Sequence, residues 1–193
     1  MKNKVVYADP PWERNGSVLH TKTGNSCVDT QYETMTDEEL LDFPINNFAD
    51  EDCILFMWVT TPKLDFGMEL LKHWGFNYKT TLVWKKEYNK RGGKGLGTYF
   101  MIQTEFILMG IRGNIKQFHS GKDNFMSAEW RGHSTKPQQF RMLIENVTKG
   151  LEPKIELWAR IKPYGWNVFG NDKKLENKPL EIFQTTSTMD CDQ

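Results

Sequence analysis

No apolar stretch in this chain approaches membrane-span length, so the sequence offers no candidate transmembrane helix. Cysteine is scarce. Cys27, Cys53 and Cys191 stand far apart with no metal or redox spacing, so reduced, cytosolic thiols and no metal site are expected. Net charge is also lacking: 25 basic and 25 acidic side chains balance, which removes any whole-protein argument for a polyanionic partner. Lys2-Asn3-Lys4 leads directly into a strand pattern, so no secretory leader is expected. Neither an internal repeat nor a second domain is visible.

What is present suits one α/β domain. In 193 residues, 38% are hydrophobic and seven are Trp, enough for a full core and too apolar for disorder. The domain is expected over residues 1–175, with a loose tail over 176–193. Charge is segregated despite its zero sum. Residues 1–60 carry 4 basic and 11 acidic side chains, and residues 61–122 carry 11 basic and 4 acidic. The basic middle could face a polyanion or be an ordinary solvated face.

The chain alternates strand and helix patterns. A short apolar run, Val5-Val6-Tyr7-Ala8, ends in Asp9-Pro10-Pro11-Trp12. Two prolines stop the backbone directly after one carboxylate, as expected where a buried strand delivers a polar group to its carboxyl end. Residues 13–31 form a polar loop, in which Arg14, Asn15, His20 and Lys22 are either ligand contacts or solvated side chains. Thr36 and Glu39 mark a capped short helix. Residues 52–59 read as a central strand and 63–73 as a helix that leaves Lys63, Lys72 and His73 exposed. Further strands are predicted over 78–84, 104–111, 154–160 and 165–172, and a helix over 137–147 with Pro at its first turn. Residues 85–97 read as a basic loop whose glycines do not open a convincing helix, so a dinucleotide fingerprint is rejected in favour of phosphate-backbone contact. Residues 112–134 read as irregular. The strand–helix alternation predicts a mostly parallel sheet with its ligand at the carboxyl ends of the strands.

Several segments in one order resemble the family of DPPW-type N6-adenine methyltransferases, which includes the catalytic subunit that methylates messenger RNA and small bacterial and phage relatives. They are Asp9-Pro10-Pro11-Trp12, residues 32–36, 106–113, His133-Ser134-Thr135-Lys136-Pro137, Lys154-Ile155-Glu156-Leu157-Trp158-Ala159-Arg160 and 165–171. The resemblance implies an α/β, Rossmann-like S-adenosylmethionine-dependent methyltransferase fold in permuted strand order, with helices on both faces of the sheet. It implies S-adenosyl-L-methionine as cofactor and S-adenosyl-L-homocysteine as product. By the same resemblance Asp9, Pro10, Pro11 and Trp12 would carry catalysis. Lys136 would pair with the cofactor's carboxylate. Ala8, Asp9, Glu156, Arg160, Asn171 and Asp172 would complete the cofactor site, and Asp172 stands where the messenger RNA enzyme has Gln. Substrate contacts would come from Tyr32, Arg14, Asn15, Lys85, Lys86, Arg91 and Lys94. Two features depart from the pattern. Few residues precede the first strand, where larger relatives place contacts to the cofactor's adenine, and Gln138-Gln139 stand where a Glu is common.

The physical logic of Asp9 agrees. An exocyclic adenine amine is a poor nucleophile, because its lone pair is delocalised into the ring. A carboxylate and the Pro10 carbonyl, each accepting one N–H, would favour a tetrahedral nitrogen. The expected activity is N6-adenine methylation of DNA, by a bacterial or phage enzyme in the cytoplasm that could protect its genome against restriction. The alternatives are the same reaction on RNA, and a catalytically inactive nucleic-acid-binding partner. No membrane contact is expected; a protein partner or a homodimer stays open.

Overall fold

The strand that ends at Asp9 owes its position to a sheet that collects nearly all its carboxyl ends on one edge. A computed structural model describes residues 2–13, 34–88, 99–118, 120–130 and 135–170. Seven strands, β1 (Asn3–Ala8), β2 (Ala49–Val59), β3 (Asn77–Glu87), β4 (Thr104–Arg112), β5 (Phe125–Glu129), β6 (Lys154–Ala159) and β7 (Asn167–Gly170), lie in the order β5-β3-β4-β2-β1-β6-β7. The pairs β1–β2, β1–β6, β6–β7 and β3–β5 are parallel. Only β4 is reversed, antiparallel to both β2 and β3. One edge therefore gathers the carboxyl ends of six strands and the amino end of β4. The chain leaves β1 toward β2 on one side, while β6 arrives on the other. That divergence is a topological switch point, and it opens a crevice beyond Asp9.

Alternation along β1 separates two cores. Val6 and Ala8 face α1 (Asp37–Leu41) and α2 (Leu64–His73), where Leu40, Leu70 and Leu71 are fully buried. Each such leucine contributes roughly 1.5–3 kcal/mol by leaving water. Val5 and Tyr7 face α3 (Gln138–Val147), which lays Phe140 and Ile144 against Trp58 and Trp166. Helices thus cover both faces, as expected.

Local signals explain several boundaries. Thr36 caps α1: its hydroxyl accepts from the Glu39 N–H at 3.2 Å, and Glu39 accepts from the Thr36 N–H at 2.8 Å. Within β4, a Cβ on Gly110 would lie 2.9 Å from the Phe76 Cβ and 3.1 Å from Leu71, so the glycine is what lets α2 close onto the strand. Three expectations need correction. Residues 112–134 are not wholly irregular, because β5 forms there as a short edge strand along β3. Lys63 is buried, with its ammonium 2.7 Å from Asp37. It belongs to a 3-10 turn ahead of α2, so the helical pattern of the residues after it does not set its direction. Finally, β3 runs to Glu87, past its expected end at residue 84, because β4 and β5 pair with it on both sides. The expected tail, 176–193, lies outside the described residues, and no helix among those described is long and apolar enough to cross a membrane.

Candidate active site

β1 delivers Asp9 to the crevice, and the prolines after it are clamped in place. The Asp9 N–H donates to the Leu157 carbonyl of β6 at 3.4 Å. The Trp12 N–H folds back onto the Pro10 carbonyl at 2.8 Å, and the Met35 N–H donates to the Pro11 carbonyl at 2.8 Å. A carbonyl has two lone pairs, so Pro10 keeps one acceptor position after this turn. Trp12 is fixed as well: its indole N–H donates to the Trp58 carbonyl at 3.2 Å, and its ring meets Phe66 edge-on. The strand end is rigid before any ligand is considered.

Facing Asp9 is a row of alternating charges drawn from three other parts of the chain. The Lys136 ammonium, just ahead of α3, lies 2.8 Å from Asp9 and 3.4 Å from Glu105 at the start of β4. Glu105 presents its other oxygen to Lys86 of β3 at 2.5 Å. Beneath the row runs an aromatic floor. Lys136 stands 5.2 Å over Trp58 and Lys86 5.3 Å over Trp84, the two indoles meeting edge to face. The floor is itself pinned, because Trp58 donates to the Tyr7 hydroxyl at 2.6 Å and Trp84 to the Ala128 carbonyl at 3.0 Å. Burial works against both charges at the centre of the row, yet their partners prevail. Lys136 is raised above the usual lysine value by Asp9 and Glu105, and Glu105 is held below the usual carboxylate value by Lys136 and Lys86.

A second polar group lies deeper, on the α3 face. Glu156 of β6 is in register with Tyr7, and both its oxygens meet one Arg141 nitrogen, at 3.0 and 2.7 Å. Burial pushes the Glu156 carboxyl up to about 7, with Asp9 adding to the rise and Arg141 opposing it. One residue beyond Leu157, Trp158 adopts φ 58°, a left-handed conformation rare for a bulky side chain, at the register shift between Leu157 and Ala159. Its ring packs between Phe43 and Trp74, so the strained backbone is held by aromatic contacts beside the crevice.

The structure thus brings together Asp9, Pro10, Pro11, Trp12, Lys136 and Lys86, with Glu156 below them. Ala8 is fully buried in the α1–α2 core, so only its backbone is available to a ligand. Arg160 follows the end of β6, half-buried. Lys85 and Lys86, expected in a basic loop, stand in β3 instead. Adjacent strand residues point to opposite faces, which leaves Lys85 exposed and commits Lys86 to Glu105. Arg14, Asn15, Tyr32, Arg91, Lys94, Asn171 and Asp172, with His20, Lys22 and His133, lie outside the described residues. Glu105 and Arg141 were not anticipated. A charged residue opening an apolar run was the signal for Glu105, but it becomes informative only once β4 is known to be reversed. Tyr99 and Phe100, 90% and 85% exposed, stand on the rim just upstream of β4. No cluster able to hold a metal ion occurs among the described residues.

Comparison with known proteins bears on this geometry. The MT-A70 family model matches residues 3–172. The chain is 32% identical over 196 residues to the type II methyltransferase M.MunI of a Mycoplasma species, spanning 91% of this chain and 81% of that protein. It is 33% identical over 180 residues to the N(6)-adenosine-methyltransferase subunit METTL3 of Danio rerio, spanning 88% of this chain but only 28% of that one. For the METTL3 catalytic subunit of Homo sapiens the identity is 32%, with the same two shares.

Proposed function

The chain belongs to the MT-A70 family, and from that premise we propose that it methylates the N6 amine of adenine in a nucleic acid, with DNA as the polymer. The observation that carries this reading is the rigid carboxylate of Asp9, set at the switch point and in contact with a buried lysine. S-adenosyl-L-methionine, when bound, supplies an electrophilic methyl on a sulfonium.

The residues present fit that cofactor. Lys136 offers a largely buried ammonium, 19% exposed, for its carboxylate. Glu156 offers, as an acceptor for ribose hydroxyls, an oxygen that lies 2.7 Å from the Arg141 guanidinium and, among the described residues, receives no aligned hydrogen bond. Arg160 stands beside that region. Asp9 and the Pro10 carbonyl would each accept one N–H of the adenine amine and turn its lone pair toward the methyl group. Clamping of Pro10, Pro11 and Trp12 holds those acceptors still, so little reorganisation is needed as charge develops. Methyl transfer would leave the adenine nitrogen cationic, and it would then lose a proton to solvent. The exposed aromatics Tyr99 and Phe100, with Lys85 nearby, give the rim the stacking and charge that single-stranded or extruded bases require.

What supports DNA is coverage: the match to the type II methyltransferase spans 81% of that protein, and the match to the adenosine methyltransferase subunit spans 28%. RNA is the second reading, favoured by the number of relatives named for adenosine methylation. A bacterial or phage-infected cytoplasm and protection of DNA against restriction are proposed with the first. The test is methyl transfer from labelled cofactor to matched DNA and RNA, single- and double-stranded, followed by nucleoside analysis. N6-methyladenine in DNA is expected, with a rate loss of about a hundredfold or more in Asp9→Asn. Transfer at an undiminished rate in that variant would falsify the role given to Asp9, and product in RNA alone would reverse the choice of polymer.

A further inference from the structure

Arg141 is unexplained by the chemistry above, yet it is a deeply placed cation on the α3 face of the site. It sits in the first turn of α3, five residues after Lys136, with its side chain 15% exposed against 13% for Glu156. No side chain caps that turn, since Pro137 occupies the N-cap. Instead α3 is fixed by a polar stripe of residues four apart. Arg141 grips Glu156 of β6, and Glu145 accepts from the Trp166 indole at 2.8 Å just before β7. Phe140 and Ile144 meanwhile fill the core. Rotating or sliding α3 would break both polar contacts, so they set where Lys136 is presented.

The pair is also incomplete in an informative way. Among the described residues, the Arg141 Nε is buried without a hydrogen-bond partner, and the buried Glu156 oxygen that lies 2.7 Å from the guanidinium makes that ion contact but no aligned hydrogen bond. A carboxylate gripped by only one guanidinium nitrogen retains capacity to accept another donor. We propose that Arg141 is a positioning residue for the cofactor: it orients the Glu156 carboxylate for ribose hydroxyls and fixes the turn that presents Lys136. This rests on the reading of Glu156 as a cofactor contact.

Charge around Glu156 makes the idea testable. Arg141 faces it from α3, and Asp9 and Tyr7 from β1. Val168, its register partner in β7, brings no charge, and Arg160 stands at the end of its own strand. Burial holds the Tyr7 phenol far above its ordinary value, so it stays protonated in the neutral range. Glu156, pushed up to about 7, titrates there, and loss of Arg141, which opposes the rise, moves it higher. A hydroxyl donates to the ionised form, so affinity for S-adenosyl-L-homocysteine should rise with pH through the Glu156 titration.

The experiment is calorimetric binding of S-adenosyl-L-homocysteine between pH 6 and 8.5, for wild type, Arg141→Met, Arg141→Lys, Glu156→Gln and the double variant Arg141→Met/Glu156→Gln. The ligand's own amine titrates alike in all and cancels in the ratios. In Arg141→Met the rise should shift upward by about one pH unit or more, weakening binding about fivefold or more at pH 7. Arg141→Lys should keep the wild-type midpoint. If Arg141→Met does not fold, the double variant, which removes both buried charges, should fold and bind with the flat pH profile of Glu156→Gln. An unshifted midpoint in Arg141→Met, or a loss equal at every pH, overturns the proposal. So does a double variant that keeps the pH-dependent rise. Wild-type affinity and pH profile in Glu156→Gln would instead overturn the reading of Glu156 itself.

Discussion

Replacing Lys136 with Met tests whether the charge row is a structural unit. Lys136 lies 2.8 Å from Asp9 and 3.4 Å from Glu105, and the three side chains are 19%, 23% and 14% exposed. At an effective dielectric constant of about 20, each contact is worth about 5–6 kcal/mol before the cost of burying the charges is set against it. Removing one member of a buried ion pair typically costs about 3–5 kcal/mol. Here Lys86 still serves Glu105, so about 3 kcal/mol is expected at pH 7. The pH dependence has a definite sign. Lys136 is raised in the folded protein, so its contribution is full below the unfolded lysine value of about 10.4 and fades as pH rises through the folded value. Glu105 is lowered, so its contribution is present above the unfolded value of about 4.3 and is lost as pH falls through the folded value. Wild type and Lys136→Met should therefore differ most between about pH 5 and 10 and converge in acid. Urea unfolding followed by tryptophan fluorescence measures this: the midpoint should drop by about 1.5 M at pH 7 with an unchanged slope. A gap of equal size at pH 3.5 and pH 7, or one under about 1 kcal/mol at pH 7, would refute the reasoning, since exposed pairs contribute no more than that.

Two further outcomes check the frame around the site. Gly113 has φ +70°, and a Cβ there would lie 2.3 Å from the Glu51 carbonyl oxygen, so Gly113→Ala should cost about 3 kcal/mol and lower Tm by roughly 10 °C. Because Gly113 follows β4 at the edge away from Asp9, the folded fraction should bind S-adenosyl-L-homocysteine normally; an unmoved Tm in a melting scan would contradict this account of the turn. Burial pushes the Cys53 thiol up to about 12, against the pull of Arg112. Peptide mapping after treatment with a thiol reagent at pH 8 should find Cys53 unmodified until urea unfolds the chain, and labelling in native buffer at the rate of a free thiol would show that its burial is wrong.

Much of this architecture was written locally. The prolines after Asp9, the capping box at Thr36 and the apolar run of β2 each state their role within a few neighbouring residues, and the structure agrees. Errors arose where the deciding partner is remote in sequence. Lys86 looked like a loop cation because three charged residues end β3, and only pairing with β4 and β5 extends the strand through them. β5 itself has neither a long apolar run nor a clean alternation, so it exists because β3 offers it an edge. Glu105 and Arg141 read as unremarkable charges until reversal of β4 and the docking of α3 bring them to Lys136 and Glu156. The resemblance of several ordered segments supplied the cofactor and the chemistry, which spacing alone would not have reached.

The reversed strand has a consequence for how such a site could change. β3 ends and β4 begins on the same edge as Asp9, so their connecting segment is anchored at both ends beside the crevice. Lengthening or exchanging that segment alters the rim without touching the register of any strand. Each doubling of a flexible connection adds only about 0.6 kcal/mol of closure entropy. Recognition of different polymers, or of different surrounding bases, could thus be grafted onto one unaltered methyl-transfer centre. The hairpin is a socket: what it carries can be exchanged, while the strands that hold Asp9 and Lys86 in place keep their register.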